Sequence, residues 1–229
     1  MKILGISGSI KSQKTIIAVS TVLQAIKNKD ESIETELISL GDYDIAYSDG
    51  RDYRDYEGDT NTVISKVMEA DAFIIGTPVY QSSIPGVLKN LFDLLPKDAF
   101  IDKVVGIVTT AGSDKHFLMV ESQLKPILNY MKAIIVPKYV FINEAFFLND
   151  KIVSDDIEFR VKQLADDTVN VTEVVQELKK KREEEFMAMY EQFEQFDELE
   201  EKFFYIEEEE TLIVAQYVDD NIEDFAEVI

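Results

Sequence analysis

The chain alternates short apolar runs with longer stretches whose apolar residues recur every three or four positions. The runs predict strands over 2–7, 34–39, 72–76, 103–109 and 133–136. The periodic stretches predict helices over 15–27, 61–70, 85–95, 115–131 and 155–177. Strands this apolar are covered on both faces, and their alternation with helices implies a parallel, doubly wound sheet. Such sheets bind ligands beyond the carboxyl ends of their strands. Three segments leave those ends, "SGSIKSQK" (7–14), "TPVYQSSIPG" (77–86) and "TTAGSDKH" (109–116), and they are expected to converge in space. The connection over 41–60 is long, polar and rich in Tyr and Asp, a length that marks either a functional loop or a solvated one.

Composition narrows the class. At 229 residues the chain suits one full α/β domain plus a modest addition. It has no Cys, which excludes disulfides and thiolate chemistry and makes a reducing cytoplasm the easiest setting. No apolar run approaches the roughly 18 residues of a membrane span, and no signal peptide is visible, so a soluble cytoplasmic protein is expected. The net charge of −22 is uneven: residues 183–229 hold 18 acidic residues and one Lys, leaving −5 for everything before them. That shift predicts a globular domain over 1–180 and an acidic extension over 181–229. It also argues against nucleic acid, whose phosphates need a cationic surface. In the extension Phe186, Met189, Tyr190, Phe193, Phe196 and Phe203 recur at helical spacing, and "TLIVAQYV" (211–218) follows as a strand or other buried strip. The apolar face suits docking on its own domain, an oligomer-forming arm or a basic partner.

The first of the three loops nearly matches a Walker phosphate loop, with Lys14 and Thr15 in place but Gln13 where that loop needs glycine. A Gly- and Ser-rich turn from strand to helix still directs N–H groups and hydroxyls at an anion. Here Ser7, Ser9, Ser12 and Thr15 offer hydroxyls, and Lys11 and Lys14 offer charge. In the second loop Pro78 fixes the turn after a strand, and Tyr80 presents both a ring and a hydroxyl against which a flat heterocycle can lie. In the third, Gly112 permits close backbone approach, and His116, the only histidine, is expected in the first turn of the next helix as a surface or supporting group. One His and no Cys make a zinc site implausible. The acidic runs lack the alternation of a calcium loop, and no G-x-S-x-G elbow is present.

Together the three loops resemble the NAD(P)H-dependent FMN reductases of the flavodoxin-like superfamily. The resemblance is nearest to the reductase component of two-component alkanesulfonate monooxygenases. "SGSIKSQKT" takes the place of that family's G-S-x-R-x-x-S loop. "TPVYQSSIPGVLKNLFDLLP" is close to its T-P-V-Y…G-x-L-K-x-x-x-D-L-L-P segment, and "TTAGSDKHFLMVESQLKPILNYMKA" is similar to its third loop and helix. The likeness spans about the first 180 residues. It implies a flavodoxin-like five-stranded parallel sheet of order 2-1-3-4-5; the acidic, mainly helical extension lies outside it. It implies FMN phosphate at Ser7, Ser9, Lys11, Lys14 and Thr15. The flavin ring would lie against Pro78, Val79, Tyr80 and Gln81 on one side, with Thr110, Ala111, Gly112 and Ser113 opposite. Hydride would pass from NADPH or NADH to FMN with no metal and no essential side-chain acid or base, because positioning suffices. A homodimer or homotetramer and a flavin-dependent monooxygenase partner are further implications. An FMN-bound quinone- or azo-type reductase, or a non-enzymatic flavodoxin-like electron carrier, would share the same loops. Two departures from the pattern matter. Lys11 replaces an arginine, losing its bidentate fork. Ser122 stands where sulfonate-linked members often carry a tyrosine in an inserted helical turn, which leaves FMN either a released product or a retained group.

Overall fold

The computed structural model describes residues 1–203, with side chains described as far as Met189. The predicted strip at 211–218 lies outside the described residues. Five parallel strand positions form the centre, in the order β2-β1-β3-β4-β5. The strands are β1 (Lys2–Ser7), β2 (Glu34–Ser39), β3 (Ala72–Pro78), β4 (Val104–Ala111) and β5 (Ile134–Ile135). The order is the one expected from the resemblance.

The fifth position differs in detail. It is filled by two short strands, because β6 (Val140–Asn143) also pairs in parallel with β4. Val104 and Val105 face Ile134 and Ile135, whereas Val108 faces Val140, so two extra residues are accommodated between the two pieces. Val136 still donates to the Val105 carbonyl. Pro137 then has no N–H to continue the ladder. The sheet therefore has six strands rather than five.

Helices cover both faces, as period-two burial along the strands requires. On one face α2 (Gly58–Glu69), α3 (Gly86–Leu94) and α4 (Lys125–Tyr130) pack Val63, Val67, Leu88, Leu91 and Leu128 against Leu4, Ile6, Phe73, Ile75 and Val105. On the other, α1 (Gln13–Lys29) and α5 (Asp155–Phe203) bring Val19, Val22, Ile26, Val161 and Leu164 onto Ile3, Ile74, Val104 and Val108. Gly76 makes the close approach of α1 possible, since a Cβ there would lie 2.2 Å from Val19 Cγ2. A two-residue turn through Asn149 and Asp150, both at positive φ, joins the short strands β7 (Phe147–Leu148) and β8 (Lys151–Ile152).

Three further elements depart from the expected pattern. The helix predicted over 115–131 is broken into a 3-10 turn at Asp114–His116, a π turn at Val120–Leu124 and α4. His116 therefore lies in a connecting turn and not in the first turn of a helix. The inserted turn forms without the tyrosine; Ser122 occupies it and donates its hydroxyl to the Leu118 carbonyl at 3.0 Å. The long connection over 41–60 is ordered by pinning. Asn90 on α3 donates to the Ala46 carbonyl and accepts from the Ser48 N–H, both at 2.9 Å. Asp49 holds Arg51 and Tyr56 there, and its hydrogen bonds to Arg51 keep the carboxyl far below the usual range. Finally, the helix predicted to end at 177 continues as α5 to Phe203. By compactness the chain divides into units 1–177 and 178–229. In the second, Phe186, Met187 and Met189 are exposed. Among the described residues no helix is long and apolar enough to cross a membrane.

Candidate functional site

The three loops meet at the carboxyl edge of the sheet because β1, β3 and β4 are neighbours. The Gly8 N–H bonds to the Gly76 carbonyl at 2.8 Å, and the Val79 N–H to the Thr110 carbonyl at 3.1 Å. Side chains close the same triangle. Thr15 and Thr110, both buried, share a hydroxyl bond of 3.0 Å, and Ser9 meets the Tyr80 hydroxyl at 3.4 Å. Each loop is thus tied to the others through residues expected to bind ligand.

The first loop curls around its own hydroxyls. Ser9 Oγ accepts from the Ser12 N–H at 2.8 Å and the Lys11 N–H at 3.3 Å, while Thr15 donates to Ser12 Oγ at 3.3 Å. Ser12 is the N-cap of α1 yet makes no side-chain capping bond. The first-turn N–H groups of a helix have no partners within it, so here they face the loop. At the base lies Ser7, the last residue of β1. Its hydroxyl is buried and has no hydrogen-bond partner among the described residues. A buried hydroxyl without a partner costs about 1–3 kcal/mol, so one that persists at a strand end needs an explanation. Its place at the end of β1 puts it directly before the Gly- and Ser-rich first loop. Ser7, Ser9, Thr15 and the α1 N-terminus are a donor set that fits a phosphate monoester.

The two lysines differ. Lys11 is exposed, and its ammonium has no ion pair recorded with the described residues. Lys14 reaches across to Glu144, which follows β6, at 2.8 Å. Sequence patterning missed Glu144, because its place depends on a strand that begins after Pro137; the apolar run at 139–142 is the signal for that strand.

In the second loop Pro78 ends β3, paired with Thr110, so the turn falls later than expected. Tyr80 and Ser83 exchange two backbone bonds of 2.9 Å, with Gln81 and Ser82 at φ +50° and +61° between them. Two non-glycine residues in the left-handed region form a tight, strained turn, a feature that concentrates at functional sites. It leaves Tyr80 46% exposed, with its hydroxyl reaching Ser9 of the first loop. Ser83 ties the turn to the π turn through Gln123 at 3.2 Å.

In the third loop Thr110 and Ala111 are buried at the end of β4, Gly112 is exposed, and Ser113 accepts from the Lys115 N–H. Phe117 and Leu118 stand exposed beyond it, with the Phe117 carbonyl held by the Tyr139 hydroxyl. Burial, helped by the nearby Glu121 charge, raises the Tyr139 phenol above its ordinary range and keeps it a donor. The arrangement gathers hydroxyls and a helix N-terminus in the first loop, with the exposed Tyr80 and Gly112 on the two loops beside it.

Flavin reductases are among the known proteins similar to this chain. A NAD(P)H-dependent FAD/FMN reductase of Geobacillus thermodenitrificans is 41% identical over 173 residues, covering 75% of this chain and 93% of the relative. The NADH-dependent FMN reductase SfnF of Pseudomonas fluorescens is 30% identical, covering 72% and 89%. An apo NADH:FMN oxidoreductase (EMOB) superposes with a TM-score of 0.62 at 25% identity, over 72% of this chain and 86% of that one. Oxidised flavodoxin 1 from Bacillus cereus shares the fold at 16% identity, with a TM-score of 0.52 over 74% and 98% of the two chains. The family model of NADPH-dependent FMN reductases matches residues 1–147, a span that contains all three loops and the Lys14–Glu144 pair, and the chain belongs to that family.

Proposed function

We propose that this chain is an NAD(P)H-dependent FMN reductase whose flavin is held by the three converging loops. Ser7, Ser9, Lys11, Lys14 and Thr15 take the phosphate. Pro78, Val79, Tyr80 and Gln81 flank the ring on one side, and Thr110, Ala111, Gly112 and Ser113 on the other. The observation that carries this is the buried, unpartnered Ser7 hydroxyl at the floor of a loop lined with donors. Bound FMN supplies a ring that accepts hydride from the nicotinamide; the chain supplies position and electrostatics. The first loop and the α1 N-terminus fix one end of the flavin by charge and N–H donation. The Tyr80 turn and the Gly112 loop would take the ring between them, with Tyr80 and Phe117 exposed nearby in chain order. No side chain here is assigned as acid or base. The proposal extends to a homodimer or homotetramer in the cytoplasm that passes reduced flavin to a monooxygenase. It rests there on the resemblance of the loops. Residues 1–180 form the reductase domain and 181–229 an acidic extension.

The test is NAD(P)H oxidation followed with FMN absent and present. Oxidation whose rate rises with added FMN supports the proposal; no oxidation at any FMN concentration refutes it.

Ser7→Ala separates the binding role from a structural one. Removing an unpartnered buried hydroxyl is expected to leave the FMN-free protein as stable as before, or up to about 1 kcal/mol more stable. FMN affinity is expected to fall about tenfold to a hundredfold, the worth of one hydrogen bond to a charged group. Calorimetric melting without ligand and a fluorescence titration with FMN read the two effects. A fall in stability with unchanged affinity makes Ser7 structural.

A further inference from the structure

Glu144 occupies a place that the phosphate reading alone does not account for. It is the first residue after β6, and the last residue of that strand, Asn143, is paired with Ala111 of β4. That register delivers Glu144 to the same edge as the three loops. Its backbone is fixed from both sides. Asn143 Nδ2 donates to Asp114 in the third loop at 2.7 Å, and Asn143 Oδ1 accepts from the Ala145 N–H at 3.0 Å. The carboxyl carbon of Glu144 lies 4.0 Å from where a Cβ on Gly112 would be, and one of its oxygens takes the Lys14 ammonium at 2.8 Å. A carboxylate is thereby set between the first and third loops, on one of the two cations assigned to the phosphate.

The pair contributes little to the fold. Both side chains are well exposed, 38% for Lys14 and 48% for Glu144, and exposed pairs of this kind are worth little to stability. Its consequence for an incoming anion is larger. With Glu144 ionised the Lys14–Glu144 pair carries no net charge, and Lys11 remains as the uncompensated cation of the loop. A dianionic phosphate must draw Lys14 away from Glu144 or share it, with the carboxylate repelling it throughout. A flavin without phosphate meets neither obstacle.

Resting on the assignment of the phosphate to this loop, we infer that Glu144 sets how loosely FMN is held, by competing with the phosphate for Lys14. It is a positioning residue that acts through Lys14, and it favours an exchanging flavin over a retained one. The isosteric change Glu144→Gln removes the charge and keeps the shape.

The test measures equilibrium binding of FMN and of riboflavin, which has the same ring and no phosphate, to four full-length proteins: wild type, E144Q, K14A and the K14A/E144Q double variant. E144Q is expected to bind FMN about three- to fivefold more tightly at low salt, an effect of the size of one exposed charge pair, and to bind riboflavin as wild type does. The gain is expected to shrink in raised salt and in the K14A background. FMN affinity in E144Q equal to or weaker than wild type overturns the inference, and so does an equal change for riboflavin, which reports altered shape. In the first case the site assignment survives if K14A still weakens FMN selectively. If wild type and K14A bind FMN and riboflavin all alike, the phosphate is not at this loop and both conclusions fall.

Discussion

Alanine at both Lys11 and Lys14 is expected to weaken FMN binding about thirtyfold and to leave riboflavin binding within about twofold of wild type. Each lysine at an exposed site is worth about 1 kcal/mol to a dianion, so losing both costs about 2 kcal/mol. The double change also leaves Glu144 without its partner, so its charge opposes the phosphate unscreened by Lys14. Stability is expected to move by less than about 1 kcal/mol, since Lys11 is exposed and the Lys14–Glu144 pair is half-exposed. The contrast between the two flavins is the decisive readout. A common loss for both would mean that the lysines shape the loop rather than charge it.

Gly41→Ala is expected to damage the site from a residue that touches no ligand. A Cβ built at Gly41 lies 2.3 Å from the Ile10 carbonyl oxygen and 2.8 Å from its carbonyl carbon and Cα. These are main-chain atoms, so no rotamer change relieves the clash. Ile10 sits between Ser9 and Lys11, and the loop around it is held by the Ser9 bonds to Lys11 and Ser12. Either those bonds stretch or the chain after β2 is pushed off the sheet. A cost of about 1–3 kcal/mol is expected, typical of overpacking, together with a loss of FMN affinity of tenfold or more. That cost corresponds to a fall in melting temperature of roughly 5 °C for a domain of this size. Gly86→Ala is the matched control. Nothing lies within 4 Å of a Cβ there, at the first position of α3, and alanine is expected to be neutral or to stabilise by up to about 1 kcal/mol. Denaturant unfolding of both variants, with a parallel FMN titration, checks the pair. A Gly41 variant that binds FMN normally would show that the first loop tolerates displacement.

Much of this was legible in the sequence, for reasons that particular residues make plain. The strands β1, β3 and β4 are continuous apolar runs, so their carboxyl ends could be located, and loops leaving neighbouring ends must meet. That is why Ser9, Tyr80, Thr15 and Thr110 could be grouped before any distance between them was known. What escaped depended on register across long separations. The apolar run at 133–136 predicts a single strand in the fifth position, while its second piece lies on the far side of Pro137. Glu144 comes to Lys14 only because Asn143 pairs with Ala111, a relation between positions with no local trace. The interruption of the helix after the third loop was hidden because a π turn keeps the same apolar residues inward, with Val120 and Leu124 both buried. Ser122 makes the point from the other side. The inserted turn does not require tyrosine at that position, so its presence follows from the backbone path and not from the residue used to recognise it.

On the function proposed above, the unpartnered Ser7 hydroxyl marks the phosphate end of an FMN site spanning three loops. A crystal structure of the protein with FMN tests it most directly. The phosphate is expected within hydrogen-bond distance of Ser7, Ser9 and the first-turn N–H groups of α1, with the ring between the Tyr80 turn and Gly112. A flavin whose phosphate lies elsewhere, with Ser7 still unpartnered beneath an empty loop, would contradict it.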